Sequence, residues 1–296
     1  ICIMTVKKIA INEENEGRRI DNFLISLFNS VPKSKIYNII RKGEVRVNSS
    51  RKKPSYKLKL NDLIRIPPNL EVSDKKPKKI ESEEILKHTQ NILYENENFI
   101  VANKRNDISV HGGSKQSFGL IDIFRKKYGE NIDLCHRLDK TTSGCIVFAK
   151  NKKAVKHFGE NLSKKCVRKV YSTILKGKLK QNISVDIPVY KNLTSNSKIA
   201  SSKFILKKTL KNTSFVDVEI DTGRTHQIRI HAAKIKHPIL FDQKYGDNDF
   251  DKSLKIGKYK IALHAKEISF FDLDNKKINV KSKLPFEFKE MLKNLE

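Results

Sequence analysis

Between Val72 and Glu84 the chain reads VSDKKPKKIESEE. Charged residues and a proline fill this stretch, with almost nothing large and apolar, so it cannot bury a core and reads as a linker. The chain therefore has to fold as two units, one on either side. The expected division is a small unit over 1–71, a charged connection over 72–89 and a larger unit over 90–296.

The small unit carries a helical pattern and then strand-like runs. Over 19–28, Ile20, Phe23, Leu24, Leu27 and Phe28 recur at helical spacing. Asn29-Ser30-Val31-Pro32 breaks that helix. Ser34 can cap a second one, with Ile36, Ile39 and Ile40 as its buried stripe and Gly43 in the C′ place that ends it. Val45, Val47, Leu58, Leu60, Leu63, Ile64 and Ile66 follow in short alternating runs that stop at Pro67-Pro68. Lys33, Lys35, Arg41, Lys42, Arg46, Arg51, Lys52 and Lys53 crowd the second helix and its exit. Such a run is either a solvated charged face or a binding face. Composition favours binding: Lys and Arg number 61 against 33 Asp and Glu, a net charge of +28, and a polyanion is the natural partner for that excess. Lysine-rich coding bias supplies part of the count, whereas arginine in specific contexts is the better marker of phosphate recognition.

In the larger unit, strands are expected over 92–94, 99–103, 145–150, 170–175, 203–206 and 215–220, and helices over 122–128 and 151–165. The helices do not alternate regularly with the strands, which argues against a doubly wound parallel sheet. The expected class is α+β, with a mixed, mainly antiparallel central sheet flanked by helices.

Two polar islands interrupt the apolar pattern. His136-Arg137-Leu138-Asp139-Lys140-Thr141-Thr142-Ser143-Gly144 sets a carboxylate beside a guanidinium just before a buried strand. By residue type alone it is either an ion pair with a turn cap or a functional loop on a rigid element. Asp221-Thr222-Gly223-Arg224-Thr225-His226-Gln227-Ile228-Arg229-Ile230-His231 is the second. Thr225 can cap a helix that runs to about Lys236, with Ile228, Ala232 and Ile235 buried and Arg229 at the edge of that stripe. His226 and His231 are five apart, the wrong spacing for a two-histidine metal site, and each is expected as a hydrogen-bonded surface or boundary residue.

HRLDKTTSG, RKVYST and TGRTHQIRIHAA together resemble the signature segments of the RluA-type family of pseudouridine synthases. His111-Gly112-Gly113, Ser117-Phe118-Gly119 and His237-Pro238-Ile239-Leu240-Phe241-Asp242 extend the likeness. RRIDNFL, VPKSKIY and RKGEVRVN resemble an S4-type RNA-binding domain. The resemblance implies conversion of chosen uridines in large-subunit ribosomal RNA to their C-glycoside isomer. Asp139 maps to the family's catalytic aspartate, Arg229 to the arginine paired with it, and Tyr171 to the tyrosine that stacks on the base. Ile228 would line the base pocket. Arg137 and Arg224 would contact RNA, and Lys35, Arg41, Lys42 and Arg46 would dock it on the S4-like unit. The nucleophile could attack the base or the ribose C1′, and both stay open. Where family members carry Asn-Lys-Pro followed by glycine, this chain has Asn103-Lys104-Arg105-Asn106-Asp107.

The reaction needs no redox change or group donor, so no cofactor is expected. The four cysteines, Cys2, Cys135, Cys145 and Cys166, lack metal-ligand spacing and fit buried, reduced thiols of a cytoplasmic protein. No apolar run approaches the ~20 residues of a membrane span, and no signal peptide is expected at residues 1–11. A monomer is expected. Two rivals remain: an RNA-binding assembly factor on an inactive synthase fold, and a glycosidase-like enzyme, which would need a second acid about 5–10 Å from Asp139.

Overall fold

The computed structural model describes residues 7–13, 15–28, 31–68, 80–112, 118–189, 198–257 and 259–296. The chain divides into two compact units, Ile1–Lys79 and Ile80–Glu296.

The first unit holds β1 (Lys7–Ala10), α1 (Ile20–Leu27), α2 (Lys33–Lys42), β2 (Arg46–Val47) and β3 (Leu63–Ile66), with a small antiparallel sheet in the order β1-β3-β2. Ile20, Phe23 and Leu24 of α1 meet Ile36, Ile39 and Ile40 of α2 over Val47, Ile64 and Ile66 of the sheet. Gly43 ends α2 at φ +74. The start of α2 differs from expectation: Pro32 holds the cap position and no side chain caps the helix, because the fixed proline φ already sets the entry. Leu60 and Leu63 point outward. Asn29 and Ser30, the expected break, lie outside the described residues, as do 72–79 of the expected linker.

The second half of that linker is not a linker. Residues 82–89 form α3 (Ser82–Thr89), whose Ile85 packs on the core of the second unit while His88 and Thr89 are buried. One apolar pair in eight residues is too sparse a pattern to reveal a helix. The second unit continues with β4 (Ile92–Glu95), β5 (Phe99–Lys104), α4 (Leu120–Tyr128), β6 (Asp133–Leu134), β7 (Ser143–Ala149) and α5 (Lys152–Ser163). Then come β8 (Arg168–Lys176), β9 (Ile183–Val189), β10 (Lys198–Thr209), β11 (Thr213–Ile220) and α6 (Gln227–Lys234). The last elements are α7 (Asn248–Ser253), β12 (Leu263–Phe271), β13 (Lys277–Lys281) and α8 (Phe286–Asn294).

The strands form one sheet in the order β4-β5-β7-β12-β8-β11-β10-β9, with β6 beside β7 and β13 beside β12. All described pairings are antiparallel except β7 with β12, where Ser143 faces His264 and Gly144 faces Ala265. Residues of β5 alternate between two cores: Ile100 and Ala102 pack with α4, and Phe99 and Val101 with α5. Burial on both faces explains why β5 and β7 read as unbroken apolar runs. β12 is the strand that joins β7 to β8, so it ties the two halves of the sheet together. Of the cysteines, Cys145 is buried and Cys135 half-buried, but Cys166 is exposed, because the turn after α5 leaves it at the surface. Cys2 lies outside the described residues.

Candidate active site

The polar island at 136–142 is the turn between β6 and β7, and it is pinned at several points. The His136 ring nitrogen Nε2 accepts the Val147 N–H at 3.1 Å, Leu138 is buried, and the Thr142 N–H donates to the Asp139 carbonyl at 3.1 Å. From below, the buried Lys104 ammonium donates to the carbonyls of Lys140 (3.0 Å), Thr142 (2.7 Å) and Arg105 (2.8 Å). Burial pulls that ammonium down to about 7, against the charges of Asp107 and Asp139. At the exit Gly144 has φ +108, and a Cβ there would sit 2.2 Å from the Ala265 carbonyl oxygen. Only glycine allows β12 to approach the turn that carries Asp139 so closely.

The second island folds around Gln227. Its Oε1 accepts from the Thr222 hydroxyl at 2.7 Å and the Arg224 N–H at 3.1 Å, while Nε2 donates to the Ser201 carbonyl at 2.8 Å. Thr225 is therefore not the cap. His226 holds that position in a left-handed conformation, φ 57, and α6 runs only to Lys234. His231 is fully buried rather than at a boundary, hydrogen-bonded to the Ser202 hydroxyl at 3.0 Å and the Ile187 carbonyl at 3.2 Å.

These two segments bring the expected residues together. Arg229 on α6 sets Nη1 at 3.4 Å from Asp139 Oδ2. Its principal partner is another acid. Nε and Nη2 donate to the two oxygens of Asp242 at 2.8 and 2.7 Å, a bidentate pair in which Asp242 is almost completely buried. Burial alone would raise the Asp242 carboxyl, but the guanidinium and the N–H groups of Lys244 and Tyr245 outweigh it and hold it below the usual range. Arg229 also lies 5.2 Å from the Tyr245 ring centroid. The Tyr245 hydroxyl bonds His226 Nδ1 at 3.1 Å, and His226 Nε2 stands 3.7 Å from Asp139 Oδ2. Residue type and spacing did not reveal Asp242 and His226 as site groups. Asp242 closes the His237–Asp242 segment, where an acid after an apolar run was the available signal.

Tyr171 on β8 and Ile228 on α6 are buried in the same cavity, a narrow space of about 60 Å³ bounded by Asp139, with Arg137 and Arg224 exposed along its rim. Past Asp139 and Arg137 a larger hollow of about 690 Å³ adjoins it. Burial, helped by the Asp139 charge, pushes the Tyr171 phenol up, so it stays neutral. Lys35, Arg41, Lys42 and Arg46 belong to the first unit, where all four are exposed on α2 and its exit. Gly113 and Ser117 lie outside the described residues. Among the described residues no group of three His, Cys, Asp or Glu side chains could hold a metal ion, and no helix is long and apolar enough to cross a membrane.

Comparison with known proteins bears on both units. Residues 98–234 match the family model described as RNA pseudouridylate synthase, and residues 18–64 match the S4 domain. The chain is 39% identical over 281 residues to the ribosomal large subunit pseudouridine synthase C of Pasteurella multocida, covering 90% of this chain and 86% of that protein. To the protein of the same name from Escherichia coli it is 38% identical over 289 residues, covering 90% and 89%. Among solved structures, human RNA pseudouridylate synthase domain containing 4 superimposes with a TM-score of 0.61 at 25% identity, covering 71% of this chain and 95% of that one.

Proposed function

The chain belongs to the RNA pseudouridylate synthase family, and from that premise we propose that it isomerises several uridines of large-subunit ribosomal RNA to pseudouridine, with Asp139 as nucleophile. The observation that carries this reading is the placement of the Asp139 carboxylate 3.4 Å from the Arg229 guanidinium, in one cavity with Tyr171 and Ile228.

In the reaction the N1–C1′ bond breaks and a C5–C1′ bond forms. The C5 proton leaves and N1 gains one, so nothing is oxidised, reduced or transferred from outside. Asp139 supplies the electron pair, to the base or to C1′. Arg229, anchored by Asp242, holds the carboxylate in place through a charge-assisted contact. Tyr171 is a neutral phenol, so its part is to stack against the base and offer an O–H, not to act as a preformed phenolate. Ile228 closes the apolar side of the base pocket. A stacked uridine presents neither C1′ nor C5, so it has to be everted, at a cost of a few kcal/mol. Phosphate contacts to Arg137 and Arg224, and to Lys35, Arg41, Lys42 and Arg46 on the S4-like unit, offset that cost. We place this reaction in the cytoplasm and read the working form as a monomer.

Tritium released from a large-subunit ribosomal RNA transcript labelled at uridine C5 tests the proposal. Asp139→Ala is expected to lower the rate by at least about 10³-fold, the scale of losing a nucleophile. Equal release from wild type and variant would leave only an RNA-binding role.

A further inference from the structure

A second groove, of about 510 Å³, lies beside the Asp139 cavity, and the two share Arg137, Tyr171, Gly223 and Arg224 along a common wall. Lys169 lines it. Lys169 stands two residues before Tyr171 on β8, so both side chains leave the same face of the strand. It is 5% exposed, yet among the described residues its ammonium has a single hydrogen bond, a long one of 3.3 Å to the Thr222 carbonyl. An ammonium has three donors to satisfy. Burial pulls this one down to about 8, with the Asp221 charge opposing and the Arg224 charge adding to the fall. So little pairing for a buried cation is costly unless something else supplies the acceptors.

Gly223 stands next to that ammonium. Its φ is not left-handed, and a Cβ built on it would meet only Lys169 Nζ, at an ordinary 3.8 Å. Neither backbone conformation nor crowding calls for glycine here. What glycine does is keep this side of the groove, beside the ammonium, free of a side chain. Arg137, Lys165 and Arg224 add positive charge around the opening, and among the described residues Asp221 is the one acid lining it. A cationic groove with one opposing acid suits a single phosphate better than a run of them.

We propose that this groove is a phosphodiester subsite, with Lys169 receiving the backbone phosphate of a nucleotide next to the everted uridine. The inference rests on the RNA-isomerase reading above and deepens it. Tyr171 then stands between two spaces, the target base on one side and the neighbouring phosphate on the other. A phosphate contact fixes register without reading sequence, which suits an enzyme with several target uridines.

The test measures kcat/KM on the C5-tritiated transcript across a series of KCl concentrations. Each neutralised phosphate of a single strand contributes about 0.7 to the slope of log affinity against log salt. Lys169→Met is expected to lower kcat/KM about ten-fold and reduce the slope by about 0.7, while Lys169→Arg keeps the wild-type slope. Gly223→Ala, which retains the ammonium but sets a methyl 3.8 Å from it inside the groove, should lower kcat/KM several-fold. A Lys169→Met protein that loses activity at the wild-type slope overturns the subsite, since a merely structural role moves the rate alone. A Gly223→Ala protein indistinguishable from wild type overturns it too. Wild-type protein that binds the transcript and releases no tritium sinks the isomerase reading instead, and the slopes of the binding constants then judge the subsite on its own.

Discussion

The two units differ in the charges they bury. In the small unit the buried ionisable side chains among the described residues are two acids, Asp21 and Asp62. Asp21 accepts from Arg19 at 3.1 and 2.6 Å, from the Asn22 N–H at 2.8 Å and from the Tyr37 hydroxyl at 3.2 Å. Asp62 accepts from Asn48, Tyr56 and the Lys59 N–H. Burial works against both charges, but these donors win and hold both carboxyls below their usual range. The small unit's basic face, meanwhile, is solvated. The large unit also buries acids, Asp217, Asp242, Asp251 and Asp272, but among its described residues it buries Lys104, Lys169 and Arg229 as well; Lys169 and Arg229 line the cleft, and Lys104 holds the turn that carries Asp139. Burying a cation is the harder task. The contrast teaches that buried acids tie together local structure in both units, whereas buried cations occur only in the large one among the described residues, around Asp139 and its neighbouring groove.

The contrast breaks most visibly at Asp242. Asp242→Asn leaves the Arg229 guanidinium buried beside a neutral amide, and chemical denaturation should show a loss of about 3–5 kcal/mol. A loss below about 1 kcal/mol would mean that Arg229 does not need its acid. Lys104→Met comes next. The turn that carries Asp139 loses its two bonds from the buried ammonium, so kcat should fall about 10²-fold with KM little changed. The pH dependence has a definite sign. Lys104 falls from an ordinary 10.5 to about 7 in the folded chain. Between those values the unfolded state binds more protons, so this lysine makes stability rise with pH, and the slope should flatten in Lys104→Met. Asp21→Asn should cost the small unit about 1–3 kcal/mol, the penalty for unsatisfied donors. Because its folded carboxyl titrates below 3.8, the stabilisation is complete above about pH 4 and lost as pH falls further. The smallest effects belong to the solvated face. Lys35→Ala and Lys42→Ala should each weaken RNA affinity a few-fold, lower the salt slope by about 0.7–0.9, and leave stability within about 0.5 kcal/mol.

How far the residues foretell this arrangement depends on distance along the chain. Helices with a full apolar stripe, such as α1, α2 and α5, follow from spacing alone, and so do β5 and β7. The meeting of Asp139, Tyr171, Ile228 and Arg229 was legible through the resemblance of three short segments. The Arg229–Asp242 pair was not, because it depends on the chain between α6 and α7 folding back on the helix. The left-handed cap at His226 follows from the hydrogen bonds of Gln227, which no local preference announces. β9 carries Pro188 and lies at the sheet edge, where proline is tolerated but hides the strand pattern. The weak stripe of α3 hid the true start of the second unit in the same way.

The position of β12 has a consequence for synthesis. Residues 263–271 are made late, yet they lie between the strand that follows Asp139 and the strand that bears Tyr171. While a ribosome is still translating earlier codons, the nascent polypeptide can pair β5 with β7 and β8 with β11, but it cannot close the gap between those halves. Any fragment that ends before Leu263 should therefore be catalytically silent. Completing the site therefore has to wait for this long-range strand, a pairing that costs loop-closure entropy before it is rewarded.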